Sequence, residues 1–250
     1  MGKKVGAEYK ENGKCRFRVW SPSAEAVEVI VKDRKEGLPL QQDSRGYWEG
    51  TIDNVKPGAL YKFQLNGTDE FPDPASRSQP DGVHSWSQVV DTNYYWKDLD
   101  WKGRPLGEML IYELHVGTFT SQGTFEAIIN KLDHLEELGI NTIEIMPISQ
   151  FPGSRNWGYD GVYPFAAQDS YGGVNGLKKL IDTCHQRGFS VLLDVVYNHL
   201  GPEGNYLSQF GPSFTDKYNT PWGSSINFDV YYSFLYYTSH ASTDIKVVVL

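Results

Sequence analysis

Residues 192–200 read Leu-Leu-Asp-Val-Val-Tyr-Asn-His-Leu. The run Phe189–Val196 is apolar except for Ser190 and Asp194, and Asn198 and His199 follow within five residues of the acid. A strand this apolar is buried on both faces, as strands of parallel sheets are. A carboxylate at its end needs a partner or an open, polar mouth. The imidazole of His199 can hold a substrate hydroxyl, and Asn198 offers both a donor and an acceptor. The plainer alternatives are a structural Asp194 paired with an Arg, and a His199 that only anchors its loop.

Working back toward the N-terminus, the periodicity predicts a helix over about Asn175–Arg187. It buries Leu177, Leu180, Ile181 and Cys184 and stops at Gly188. Ile140–Met146 reads as a buried strand. Thr124–Leu138 carries Phe125, Ile128, Ile129, Leu132 and Leu135 at helical spacing, with Thr124 as N-cap and Gly139 as the stop. Leu110–Val116 is a further strand. Strand, helix, strand, helix, strand is the pattern of a parallel α/β sheet.

Before Pro105 the period changes to two. Cys15, Phe17 and Val19 form one alternating set, Val27, Val29 and Val31 a second, and Tyr61, Phe63 and Leu65 a third, with turn residues between them. Short strands at this spacing predict an antiparallel β-sandwich of the immunoglobulin-like kind over residues 1–96. Asn66-Gly67-Thr68 reads as an Asn-Gly turn rather than a glycan acceptor. The stretch from Phe71 to Gly82, rich in Pro, Gly and Ser, is expected to be an ordered loop. Residues 97–105 are the expected linker.

Two long loops follow strand C-termini, the end of a parallel sheet at which ligands bind. Pro147–Gly173 carries Phe151, Trp157, Tyr159, Tyr163, Phe165 and Tyr171; Gly201–Asp229 carries Tyr206, Phe210, Phe214, Tyr218, Trp222 and Phe228. The whole chain has 7 Trp, 16 Tyr and 12 Phe among 250 residues. Most of the chain's rings are expected to be core residues, but about a quarter, concentrated in these loops, favour a ligand with apolar C–H faces, such as a sugar. A net charge of −8 argues against nucleic acid or an anionic membrane as partner. No apolar run approaches the ~18 residues of a membrane span, and the N-terminus lacks a secretory h-region. Cys15 and Cys184 lack metal-type spacing and read as reduced core residues of a cytoplasmic protein. No metal or other cofactor is expected, and the sequence leaves the oligomeric state open.

Asp194–His199, DVVYNH, resembles the first conserved region of the α-amylase superfamily of glycoside hydrolases (family 13), which use a (β/α)₈ barrel. Tyr112–Thr120 (YELHVGTFT), Phe151–Val162 (FPGSRNWGYDGV) and His199–Gly223 are similar to the trehalose-releasing branch of that family, and the sandwich to the β-domain that precedes the barrel there. The resemblance implies an α-glucan substrate, maltooligosyl-trehalose. It implies that His199 binds the sugar beside the scissile bond, that Tyr159 stacks beneath that ring, and that Asp194 is a buried acid orienting an Arg on the next strand. It gives Trp157 a lesser place in binding and makes Asn198 a loop brace.

Retaining hydrolysis needs a nucleophilic carboxylate and a carboxylic acid about 5–5.5 Å apart. In the family these follow later strands, the first within a string close to Gly-Leu-Arg-Leu-Asp-Ala, which does not occur here. The chain is therefore expected to hold the first three to four βα units of the barrel over 106–229, without a catalytic residue, followed by a divergent tail, 230–250. In that tail Tyr231–Tyr237 is expected to form a helix or strand and Ile245–Leu250 a strand. Glu113 and Glu144 are expected to be structural, while Asp160, Glu203 and Asp216 are loop acids with no spacing that pairs them. The alternatives are a fragment of a glycogen branching enzyme or other superfamily member, and a non-catalytic carbohydrate-binding protein.

Overall fold

Alternation of apolar side chains drives the first half of the chain into two facing sheets. The computed structural model describes residues 4–10, 13–197, 199–220, 223–227 and 229. Nine strands come first: β1 (Gly6–Lys10), β2 (Lys14–Trp20), β3 (Val27–Val31), β4 (Leu38–Pro39), β5 (Gln41–Gln42), β6 (Tyr47–Asp53), β7 (Leu60–Leu65), β8 (Asp69–Phe71) and β9 (Ser87–Gln88). One sheet has the order β1-β2-β6-β5, the other β4-β3-β7-β8 with β9 also on β7, and every pairing is antiparallel. The three alternating sets, from Cys15 to Val19, Val27 to Val31 and Tyr61 to Leu65, all point into the core between the sheets. Asn66 and Gly67 have φ of 53° and 71° and turn β7 into β8, as a type I′ turn requires.

The Pro-rich stretch after β8 is ordered by buried polar groups. Asp73 is fully buried; its carboxylate accepts from the Tyr61 hydroxyl at 2.6 Å and from the Ala75 amide at 2.8 Å. Its own amide donates to Ser87 Oγ at 2.9 Å. Burial pushes the Asp73 carboxyl up to about 6, against the lowering effect of these hydrogen bonds and of Arg77.

The second half supplies β10 (Ile111–Leu114), α1 (Val116–Phe119), α2 (Phe125–Ile129), α3 (Leu132–Glu137), β11 (Thr142–Ile145), β12 (Ser149–Gln150), β13 (Tyr163–Ala167), α4 (Gly173–Gln186), β14 (Ser190–Leu193), α5 (Leu207–Phe210), β15 (Phe214–Thr220) and β16 (Gly223–Ile226). Strands β10, β11 and β14 form a parallel sheet in that order, the start of a (β/α)₈ barrel. Helices α2, α3 and α4 cover one face, burying Phe125, Ile128, Leu132, Leu180 and Ile181 against Ile143, Ile145 and Val191.

The helix expected over Thr124–Leu138 is two. Thr124 caps α2, its hydroxyl accepting from Ala127 N at 3.2 Å. Lys131 N then bonds Ile128 O, three residues back, at 2.8 Å, and this tighter turn separates α2 from α3. Gly139, at φ 78°, closes α3 as expected. The two long loops also contain strands, the antiparallel pairs β12–β13 and β15–β16, which turn residues and clustered rings conceal in the sequence. On β10, Ile111 and Tyr112 are exposed, as expected of an unpaired edge. The expected elements at 231–237 and 245–250 lie outside the described residues.

Between the sandwich and β10 the chain is strapped to α4. Lys178, Asp182 and His185, on one face of that helix, are all buried. Lys178 Nζ donates to Thr92 O at 3.2 Å, and Lys97 N donates to Asp182 Oδ1 at 2.8 Å. His185 Nδ1 lies 2.6 Å from Asp98 Oδ2, and the Trp101 ring stacks on its imidazole, centroids 5.0 Å apart.

The pH dependence of Asp73 gives a test. Its folded-state pKa is raised, so its stabilising contribution is complete below the pKa of an unfolded aspartate, about 3.9. That contribution is lost as pH rises through about 6. Urea unfolding should therefore show a fall in stability between pH 4 and 7, with up to about 3 kcal/mol from this group. In Asp73→Asn that part of the fall should vanish; an unchanged pH profile would refute the assignment.

Candidate functional site

Asp194 stands just past β14, where its amide donates to Ile145 O at 2.9 Å and extends the strand register by one residue. Val191 and Leu193 pack toward the helices, so Leu192 and Asp194 face the opposite side of the sheet. The cross-strand partners Glu113 and Glu144 point to that same face, level with Leu192. These two acids, expected to be purely structural, thus stand beneath the site.

The loop 156–161 hangs over this face. Tyr159 lies 40% exposed, and its hydroxyl donates to Asp194 Oδ2 at 2.9 Å. That hydrogen bond holds the phenol pKa above its usual value, helped by partial burial and by the charges of Asp194, Glu113 and Glu144. The Tyr159 carbonyl accepts from His199 Nε2 at 2.9 Å. A carbonyl can only accept, so the His199 proton sits on Nε2 and leaves Nδ1 as an acceptor. Trp157, two residues away, is 76% exposed.

Backbone contact fixes this loop. Gly158 has φ 99°, and a Cβ there would come within 2.0 Å of Pro147 O. At Gly201 a Cβ would come within 2.2 Å of Asp160 O, and the Gly201 amide bonds Gly161 O at 3.1 Å. His115 supports the other end: its Nε2 is 2.7 Å from Asn156 O, its Nδ1 is 3.1 Å from Thr118 Oγ1, and the Tyr171 hydroxyl is 3.2 Å from Nε2. Asn156 Oδ1 in turn accepts from Gly158 N at 2.8 Å.

Of the residues named from sequence, the structure brings Tyr159, Asp194 and His199 together and places Trp157 beside them. Asp194 is half-buried and accepts from the Tyr159 hydroxyl, while the Arg that it is expected to orient belongs to the barrel strand after β14. His199 has its Nε2 on the loop, the anchoring arrangement that the sequence left open. Asn198 lies outside the described residues. Four of the loop rings are core residues: Phe151, Tyr163, Tyr171 and Phe210 are each 2% exposed or less. Tyr218, Trp222 and Phe228 have no described side chains. Among the loop acids, Asp160 accepts from Asn156 Nδ2 at 3.4 Å, and Glu203 lies 3.4 Å from His84 Nε2. His115 and Asn156 were not singled out by sequence, although a polar residue ending a buried strand was the signal at His115; Tyr171, expected among the loop rings, supports His115 instead. Among the described residues no group of three or more His, Cys, Asp or Glu could hold a metal ion, and no helix is long and apolar enough to cross a membrane.

Comparison with known proteins decides the family. Residues 71–222 match the profile of the alpha amylase catalytic domain. The chain belongs to the α-amylase family. Residues 4–87 of this family member match carbohydrate-binding module 48, the isoamylase N-terminal domain. The malto-oligosyltrehalose trehalohydrolase of Saccharolobus solfataricus is 49% identical over 90% of this chain and 40% of its own length. The 1,4-alpha-glucan branching enzyme of Pseudoalteromonas atlantica is 31% identical over 82% of the chain and 31% of its own. A crystal structure of an α-amylase candidate from Salmonella typhimurium superposes with a TM-score of 0.89 at 42% identity, covering 94% of this chain and 40% of that one. The chain thus spans about 40% of the length of the trehalohydrolase it matches.

A phenol donating to a carboxylate resists ionisation. In an absorbance titration, the difference between wild type and Tyr159→Phe should show a tyrosine titrating above pH 10, the direction of its shift. A phenol titrating at or below 10 would contradict the Tyr159–Asp194 bond.

Proposed function

We propose that this chain is the sugar-holding N-terminal portion of a trehalose-releasing α-glycosidase of the α-amylase family. Its substrate is maltooligosyl-trehalose, cut at the α-1,4 bond beside the terminal trehalose. One observation carries this: two exposed rings, Trp157 and Tyr159, stand at the C-terminal mouth of a parallel sheet, braced by Asp194 and His199. Such rings stack on the C–H face of a glucose unit, while Nδ1 of His199 accepts from a sugar hydroxyl. The division of the chain is 1–96 sandwich, 97–105 linker, 106–229 partial barrel and 230–250 tail. The 49% identity to a trehalohydrolase, against 31% to a branching enzyme, favours trehalose release over branch formation. The buried free thiols Cys15 and Cys184 favour the cytoplasm. The protein takes no cofactor and neither nucleic acid nor membrane as partner.

Bond cleavage is assigned to groups outside residues 1–229. The transition state is oxocarbenium-like and needs a nucleophile on one face and a proton donor at the leaving oxygen. Asp194, Tyr159 and His199 hold a sugar but do not supply that pair, and binding without extra stabilisation of the transition state leaves the barrier standing.

Titration with maltoheptaose should give a saturable change in tryptophan fluorescence that is lost in Trp157→Phe. Tyr159→Ala should weaken binding about tenfold, or ~1.4 kcal/mol. No saturable change in the wild type would end the glucan reading.

Incubated with maltooligosyl-trehalose, the purified 250-residue chain should release no trehalose. Turnover that copurifies with it and disappears in Asp194→Ala would show that the cleaving groups are present after all. In a full-length enzyme, Tyr159→Ala and His199→Ala should each lower kcat/KM by about one to three orders of magnitude.

A further inference from the structure

The sandwich carries a name that implies sugar binding, yet its two sheets, which end with β9, offer no exposed ring to a sugar. Residues 1–88 contain nine Phe, Tyr and Trp residues. Six are buried, Tyr9, Phe71 and Trp86 are half-buried, and none is exposed; the exposed Tyr95 lies past β9, on the strap along α4. Trp86, the most plausible platform by residue type, already has Lys62 Nζ 5.3 Å from its ring centroid.

What the sandwich does hold is the loop that follows His199. Phe210, 2% exposed, is part of the sandwich's own core cluster, edge-on to Phe63 at 6.3 Å and to Phe71 at 6.0 Å. Tyr206 packs on Phe71 at 5.5 Å, and its hydroxyl lies 2.7 Å from His84 Nδ1. Leu207 is buried with Trp20 and Tyr47. A Cβ at Gly204 would come within 2.4 Å of Val83 Cγ2, and the Tyr163 hydroxyl donates to Val83 O at 2.7 Å. At its near end this segment begins at Gly201, whose amide is bonded to Gly161 O, two residues from Tyr159 in one chain direction and from His199 in the other.

We propose that the sandwich is the seat of the 200–211 loop, with Phe210 and Tyr206 as positioning residues for His199 and Tyr159, and that it takes no glucan on its own sheets. The seat is a statement about packing alone. The part concerning glucan rests on the proposed function.

The experiment uses the full 250-residue chain. Amide hydrogen exchange is followed in wild type, Phe210→Ala and Phe210→Leu, and maltoheptaose binding in wild type, Phe210→Ala, Phe210→Leu and Trp86→Ala. In Phe210→Ala, the Gly201 amide and peptides covering 199–213 and 156–161 should exchange at least tenfold faster while β3 and β7 stay protected. Maltoheptaose affinity should fall several-fold. Phe210→Leu, which keeps an apolar plug, should restore both, and Trp86→Ala should leave affinity unchanged.

Unaltered exchange at Gly201 in Phe210→Ala would overturn the seat. A loss of affinity above threefold in Trp86→Ala would overturn the claim about glucan. If the wild type binds no maltoheptaose, the proposed function fails, while the exchange data still decide the seat. If Phe210→Ala loses protection in β3 and β7, Tyr206→Phe decides instead. It removes only the bond to His84, so faster exchange confined to 199–213 upholds the seat and no change refutes it.

Discussion

The site depends on a close approach of backbones that leaves no room for two side chains. Pro147, following β11, and Gly201, following β14, grip the loop between them so tightly that Gly158 and Gly201 must be glycine. Any Cβ would lie inside the contact distance of a carbonyl oxygen, and Gly158 also has a left-handed φ that other residues adopt only with strain. Held this way, the loop has little freedom. Tyr159 must point its hydroxyl at the acid after β14 and its carbonyl at the imidazole five residues beyond that acid. The apolar core beneath fixes the two strands, the strands fix Pro147 and Asp194, and the glycines carry that order up to the exposed rings.

What was legible in the sequence was local or periodic. The inward sets of the sandwich, the Asn66-Gly67 turn, the Thr124 cap and the Gly139 and Gly188 stops each depend on a few neighbouring residues, and all stand where the sequence places them. The break at Asn130-Lys131 was not legible. Leu132 and Leu135 keep helical spacing across it, and only the backbone bond from Lys131 N to Ile128 O shows that the turn tightens.

Tyr159 and His199 stood out by resemblance, but the bond between them joins residues 40 apart in sequence, and no pattern encodes that. His115 carries a signal as a polar residue ending a buried strand, but its partner is visible only once Asn156 lies beside it. Ring type alone does not separate the two roles. Phe151, Tyr171 and Phe210 sit in loops by sequence, yet they are core residues, because these loops fold back onto the helices and the sandwich.

The strap along α4 bears on modularity. Families of this kind are readily imagined as beads, with a sandwich that could be moved from one barrel to another by cutting the thread between them. Here the thread is part of the second bead's surface. Removing residues 92–101 would strip cover from Lys178, Asp182 and His185, leaving an ammonium, a carboxylate and an imidazole that the helix had kept from water only because the passing chain met their needs. A transplanted barrel would have to bring its own strap, so the unit that can be exchanged is longer than the unit that looks separate.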